Sequence, residues 1–249
     1  MKKISVVTVT YNCGSLVQRT LESVALQNPT LVEHIVIDGG SRDETLKFLS
    51  PYLPRLAHFV SEPDQGIYDA MNKGIAATSG EWVLFLNAGD TFHENFRAED
   101  LSFVWPARTE FVVFPYIVEG QGTARIPDLN MLFGMPTSHQ GMLVSSEALR
   151  ESGLNTRYRV AADYDFYLKR RRKHGAGVAV EGTILSRVQP GGYSAAHIRI
   201  LRQDYQRIVF RYLGPWSAVV HYLWCRPALF RGIKKLLPIR IFKLLRGSL

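Results

Sequence analysis

The chain has 249 residues and a formal net charge of +8, with 46% hydrophobic and 21% charged residues. Those proportions exclude a disordered or low-complexity chain, and the length allows one full hydrophobic core. Two cysteines, Cys13 and Cys225, match neither a disulfide framework nor a metal spacing, which points to a reducing compartment.

Ile4–Thr10 is a continuous β-branched run and reads as a buried strand; it meets Tyr11-Asn12 without a small-residue cleavage site, which argues against a signal peptide. Ser15 is placed to cap a helix whose apolar stripe is Val17, Leu21, Val24 and Ala25, with Asn28-Pro29 ending it. A second strand over 33–38 ends at Asp38-Gly39-Gly40-Ser41, and Ser41 or Asp43 caps a short helix through Leu49. A third strand covers 56–60. Residues 67–78 then form a helix with Ile67, Met71 and Ile75 on one face, closed by Ser79-Gly80. The fourth strand, 82–86, stops abruptly at Asn87-Ala88-Gly89-Asp90.

The second half is less periodic. Residues 110–119 read as a strand, 120–136 as an excursion over the site, and 141–144 as another strand. A helix over 159–174 carries Asp163 and Asp165 near its start and five consecutive basic residues, Lys169 to Lys173, near its end, which suits the helix dipole. Residues 178–187 return as a strand, Gln189 to Ser194 form a Gly-rich loop, and 197–212 form an amphipathic helix. Apolar-basic segments broken by Pro215, Pro227 and Pro238 run to Leu249. No run of about 18 apolar residues occurs, so no membrane-crossing helix is expected.

Strands alternating with helices predict an α/β fold, a Rossmann-like, mostly parallel twisted sheet with helices on both faces. Asp38, Asp64 and Asp90 each follow a strand, so parallel strands would gather three carboxylates at one sheet edge, where ligands of such folds bind. A carboxylate there can hold a hard cation, and the cation a diphosphate. Other readings of the same residues stay open. Asp38 and Asp64 are good turn formers, Asp163 stabilises a helix N-terminus without any chemistry, and His139-Gln140 could be a satisfied buried pair.

Charge is unevenly spread. Residues 199–249 hold 11 Lys and Arg against the single acid Asp204, a balance of 11 − 1 = +10, while residues 1–198 sum to −2. Ten large aliphatic and aromatic residues between Leu229 and Leu245 interleave with seven basic residues from Arg226 to Arg246. This basic amphipathic tail fits an anionic membrane surface; nucleic acid is not expected, as no recognition module accompanies the charge.

An ordered set of motifs carries a family resemblance. It comprises Val7 to Asn12, Asp38-Gly39-Gly40-Ser41-Arg42-Asp43-Glu44-Thr45, Ser61 to Gly74, Leu84 to Asp90, Ser138-His139-Gln140 and Ala162-Asp163-Tyr164-Asp165. From Ile4 to about Ser194 the chain resembles glycosyltransferase family 2 enzymes of the GT-A fold, most of all bacterial members that build exopolysaccharide or lipopolysaccharide repeat units. The resemblance implies a domain over 1–198, with a nucleotide-sugar half at 1–95 and an acceptor half at 96–198, followed by the tail at 199–249. It implies that Thr10, Tyr11, Asn12, Asp38, Asp64, Gly66, Asn72, Asn87 and Ala88 bind a nucleotide-sugar donor. Asp90 would bind Mg²⁺ or Mn²⁺, and Asp163 would be the general base. His139, Gln140 and Asp165 would line the acceptor site. Asn87 and Gly89 stand where fuller motifs carry acids, and Gly39 stands where an acid is common.

The implied activity is inverting transfer of a sugar, from a UDP-sugar by preference, to a lipid-linked glycan at the cytoplasmic face of a bacterial plasma membrane. The alternative is a non-catalytic nucleotide-sugar-binding or membrane-associated subunit with a degenerate metal motif. A dinucleotide-dependent oxidoreductase is disfavoured, because Tyr11-Asn12-Cys13-Gly14 replaces the Gly-x-Gly-x-x-Gly turn after the first strand.

Overall fold

The computed structural model describes residues 3–215, apart from 102–103, 129–134 and 176. Its elements, in chain order, are β1 (Ile4–Thr10), α1 (Leu16–Ala25), β2 (Val32–Asp38), α2 (Thr45–Leu49), β3 (His58–Ser61), α3 (Ile67–Ala76), β4 (Trp82–Phe85) and β5 (Thr91–Phe92). There follow β6 (Phe111–Val113), β7 (Tyr116–Val118), β8 (Ala124–Arg125), β9 (Met142–Ser145), α4 (Ser146–Ser152), α5 (Ala162–His174), β10 (Val178–Ala179), β11 (Ser186–Val188), α6 (Tyr193–Ala196) and α7 (Ile198–Leu213).

Seven strands form the main sheet in the order β10-β6-β9-β4-β1-β2-β3. All pair in parallel except β9, which opposes both β4 and β6. β1 lies inside the sheet between β4 and β2, and its run of β-branched residues is buried on both faces, as a doubly covered parallel strand requires. Alternation sorts the faces. Val7 and Val9 join Ile35 and Ile37 against α3, α5 and α7, while Ile4 and Val6 face the opposite cluster with Leu84 and Phe114. A second sheet, β5-β11-β7-β8, flanks the first.

Four expectations are corrected. The strand foreseen over 110–119 divides into β6 and β7, which belong to different sheets; Pro115 between them has no N–H for a ladder. The strand foreseen over 178–187 divides likewise into β10 and β11, with Gly182 between them at φ +79°. Ser15 makes no capping bond, because it already has helical backbone angles, and Thr20 rather than Ala25 shares the buried face of α1. Ser41 does not cap α2; it bonds Asp38 instead, while Asp43 accepts the Thr45 N–H at 3.0 Å. Part of the 120–136 excursion and the tail from 216 onward lie outside the described residues.

Candidate active site

The parallel strands β1, β2 and β4 end at one edge of the sheet, and their tips build the site from below. Asp38, last residue of β2, is fully buried. Its Oδ1 accepts the hydroxyls of Thr10 and Ser41, and its Oδ2 accepts Gly40 N (3.1 Å), Ser41 N (2.9 Å) and Ser61 Oγ (2.7 Å). Burial alone would raise its pKa, but the donors from Ser41, Ser61 and Thr10 outweigh it and hold the carboxyl below the usual carboxylate range. Asp38 therefore shapes the floor: it fixes the 39–41 turn and ties the ends of β1 and β3 together. Asn12 continues the bracing, donating its N–H to Ser41 Oγ at 2.8 Å and accepting Arg42 N at 2.9 Å.

Tyr11 stands exposed above this floor beside Gly39 and Asp64. A Cβ at Gly39 would lie 2.3 Å from Asp64 Oδ2, so the absent side chain makes room for the Asp64 carboxylate. Asp64 in turn accepts Gly66 N at 2.8 Å, and Gly66 opens α3 at φ +122°, a conformation that favours glycine.

The turn after β4 is held from three sides. Thr20 of α1 places its hydroxyl 2.7 Å from the Asp90 carbonyl and 3.1 Å from that of Asn87, and accepts Gly89 N at 2.9 Å. Gln140 Nε2 donates to Asp90 Oδ2 at 2.7 Å, and the Gln189 N–H donates to Asp90 Oδ1 at 2.8 Å. Gly89 (φ +95°) lets the Gln189 side chain pack over the turn, where a Cβ would lie 3.0 Å from Gln189 Cγ. Burial pushes the Asp90 carboxyl above its ordinary pKa, despite the bonds from Gln140 and Gln189.

Asn87, on the same turn, donates its Nδ2 to His139 Nε2 at 3.0 Å. The other ring nitrogen, Nδ1, lies 3.5 Å from Asp163 Oδ2. Asp163 Oδ1 accepts the Tyr68 hydroxyl at 3.0 Å. Tyr68 is buried beside that carboxylate, which together push its pKa well above the ordinary value, so it stays a donor. A chain Asn87–His139–Asp163–Tyr68 thus joins the tip of β4 to the start of α5 and to α3. Asp163 keeps partial exposure, its side chain 23% accessible.

Three side chains expected in the site are engaged elsewhere. Asn72 uses both ends of its amide on the backbone of Leu154 (2.9 and 2.8 Å), which pins α3 to the turn after α4. Asp165 is buried beside Tyr212 of α7, because two residues along a helix turn it away from Asp163. Gln140 is buried and braces Asp90 rather than lining an acceptor pocket. Sequence reasoning missed Tyr68, Thr20 and the backbone N–H of Gln189. Tyr68 lies inside a motif already singled out, 61–74, and its position next to Ile67 was the available signal.

Among the described residues, no group of three or more His, Cys, Asp or Glu side chains could enclose a metal ion. The turn does offer oxygen donors: the Asp90 carboxylate, and Asn87 Oδ1, which is buried with no partner. That donor set fits a hard cation held mainly by a substrate's diphosphate and by water.

The sequence model described as "Glycosyl transferase family 2" matches residues 5–185. The chain belongs to that family. Among curated relatives, the chain is 32% identical to a "PGL/p-HBAD biosynthesis glycosyltransferase" of Mycobacterium bovis, over 66% of this chain and 68% of that one. A shorter stretch of 90 residues is 48% identical to an uncharacterized glycosyltransferase of Mycobacterium tuberculosis; it spans 36% of this chain and only 34% of that relative's length. Solved structures agree on the GT-A fold. The mannosyltransferase PcManGT from Pyrobaculum calidifontis, in complex with GDP-Man and Mn²⁺, superposes with a TM-score of 0.68 at 18% identity, covering 98% of this chain and 78% of that one. S. aureus TarS 1–349 in complex with UDP-GlcNAc gives 0.61 at 16% identity, covering 84% and 67%. The expected fold class, GT-A with a mostly parallel sheet, is thereby borne out.

Proposed function

We propose that this family 2 chain is an inverting glycosyltransferase that moves one sugar from a nucleotide-diphosphate sugar, a UDP-sugar by preference, to a lipid-linked glycan. The observation that carries the reading is the partly exposed Asp163, aimed from the start of α5 and joined through His139 to the turn that bears Asn87 and Asp90. In this reading Asp163 takes the proton of an acceptor hydroxyl, whose oxygen bonds to the anomeric carbon from the face opposite the leaving group. The bond from that carbon to the diphosphate breaks, and the nucleoside diphosphate leaves with the electron pair. Tyr68 and His139 hold the Asp163 carboxylate for this transfer.

Tyr11, Gly39 and Asp64 would receive the nucleoside over the floor built on Thr10, Asn12 and Asp38, with Gly66 and Ala88 at its margins. Asp90 and Asn87 would hold Mg²⁺ or Mn²⁺, which supplies neutralising charge for a departing diphosphate. Relatives support the donor class: the TarS and PcManGT complexes contain UDP-GlcNAc and GDP-Man. The basic C-terminal segment supports a peripheral place on the inner face of a bacterial plasma membrane, where a lipid-linked acceptor would be met.

A panel of UDP-, GDP- and dTDP-sugars, each with and without Mn²⁺, tests this by thermal shift. One donor class should raise the melting temperature, more so with metal. Silence across the whole panel would refute the reading. A second reading, a nucleotide-sugar-binding subunit without turnover, is favoured by one feature: both Asp90 oxygens already accept protein N–H groups. Slow hydrolysis of the bound donor separates the two, since only an enzyme would show it.

A further inference from the structure

The family match ends at residue 185, yet α7, beginning at Ile198, reaches the segment that presents Asp163. Asp204 is the single acid among the 11 basic residues of 199–249, and it is not on the surface. It is 2% exposed and its Oδ2 accepts the N–H of Val160 at 2.9 Å. Its other oxygen is 4.0 Å from the exposed Arg207, too far for a strong ion pair. Val160 lies three residues before Asp163 in the chain.

Further contacts flank the same carboxylate. The Tyr205 ring stacks on Tyr164 with centroids 4.5 Å apart, and the Tyr212 side chain lies beside the buried Asp165. Arg172, near the end of α5, donates to the Tyr212 carbonyl at 2.8 Å. Ile208 and Val209 are fully buried in the core shared with Tyr164 and Tyr167. Meanwhile α5 has no side-chain cap: Ala161 occupies that position. Within the first turn Asp163 Oδ1 itself accepts the Tyr164 N–H at 2.9 Å, but the residue at the cap position adds no bond that would fix how the turn enters.

We propose that Asp204 and Tyr212 are positioning residues: through Val160 and Asp165 they bracket the first turn of α5 and hold Asp163 at its place in the acceptor site. This rests on the reading of Asp163 as the base. The physical ground is the steep dependence of proton transfer on geometry, where a misplacement of about 1 Å can lower a rate roughly 100-fold. It also explains an acid within so basic a segment, since a buried N–H at the entry to α5 needs an acceptor.

The test uses the full chain with Asp204→Ala, Asp204→Asn, Tyr212→Phe and, as a control, Asp163→Asn. Three quantities are read: affinity for UDP and GDP with Mn²⁺, hydrolysis of the sugar nucleotide selected by the panel, and amide hydrogen exchange over 158–166. Asp204→Ala should keep nucleotide affinity and KM while kcat falls about 10-fold or more, and exchange over 158–166 should speed up. Asp204→Asn should restore most of kcat, because its amide oxygen still accepts the Val160 N–H. Tyr212→Phe, which removes one oxygen atom and keeps the ring, should lower kcat with affinity intact. It decides the matter should Asp204→Ala not fold.

Unchanged kcat and unchanged exchange in Asp204→Ala or, failing that, in Tyr212→Phe would overturn the inference. So would a parallel loss of nucleotide affinity and kcat, which marks a merely structural role. Full hydrolysis by Asp163→Asn refutes the base reading instead. An inactive Asp163→Asn beside fully active Asp204 and Tyr212 variants refutes this inference alone. Were hydrolysis too slow to follow, the exchange rates over 158–166 would decide.

Discussion

At the residue scale, the site separates groups that build from groups that face substrate. Asp38 builds: it is sealed beneath five donors. Its removal by Asp38→Ala strands those donors and should cost roughly 3 kcal/mol or more, measurable by denaturant unfolding. The same residue predicts acid sensitivity. Both Asp38 and Glu33 have pKa values lowered in the fold: burial opposes this, and hydrogen bonds from Ser41 and Ser61, and from Ser5 and Ser79, overcome it. A lowered carboxyl contributes stability that is present above its unfolded value of about 4 and is lost as pH falls through the folded value. Melting temperature should therefore drop below about pH 4, and less steeply in Asp38→Asn. In the proposed reaction Asp163 meets the acceptor hydroxyl and Asp90 would hold the metal. Asp163→Asn should bind donor normally and lose about 10²–10⁴-fold in turnover. Asp90→Ala should instead lose the metal-dependent part of nucleotide binding. Ordinary turnover in the first, or an unaltered metal response in the second, would refute that assignment.

At the scale of elements, close approach is the governing fact. α3 lies against β1 because Gly74 has no side chain; a Cβ there would meet Val7 Cγ1 at 2.4 Å. This contact sets the height of the helix, and so the position of Tyr68 under Asp163. Gly74→Ala should destabilise by about 1–3 kcal/mol, read as a lower denaturation midpoint with unchanged slope. Activity should fall further than stability alone accounts for, since Tyr68 shifts with its helix. α1 acts on the other side of the sheet in a comparable way. Thr20 reaches from its buried face to lock the Asn87–Asp90 turn.

For the whole molecule, α7 is the junction between the catalytic core and the basic tail. Its inner face, with Asp204, Ile208 and Val209, is buried, whereas Arg199, Arg202, Arg207 and Phe210 are exposed. That outer face continues the basic-apolar character of the residues that follow it. Among the described residues, no helix is long and apolar enough to cross a membrane. Full-length protein should co-sediment with phosphatidylglycerol vesicles and not with phosphatidylcholine vesicles, and binding should weaken as salt shortens the Debye length below about 8 Å. Equal binding to both vesicle types would refute a charge-driven membrane contact.

Periodicity and strand chemistry in the sequence determined the central strands, the α1, α3, α5 and α7 helices and the gathering of Asp38, Asp64 and Asp90 near one sheet edge. These follow from local rules, since β-branched runs, apolar stripes and Gly turns act within a few residues. Orientation was another matter. Whether Asp38 meets a ligand or the backbone beneath it, whether Asn72 and Asp165 point inward, and that Gln140 serves Asp90 depended on partners from 2 to 82 residues away in the chain. The division of 110–119 and 178–187 between two sheets was equally hidden, because an apolar run does not state which neighbour it will pair with. Tertiary structure alone decided that Asp163 stands between Tyr68 and His139, and that the lone acid of the basic segment accepts the Val160 N–H just before α5. The reason is physical: a carboxylate's task is set by the donors and charges around it, and those arrive only when distant segments pack.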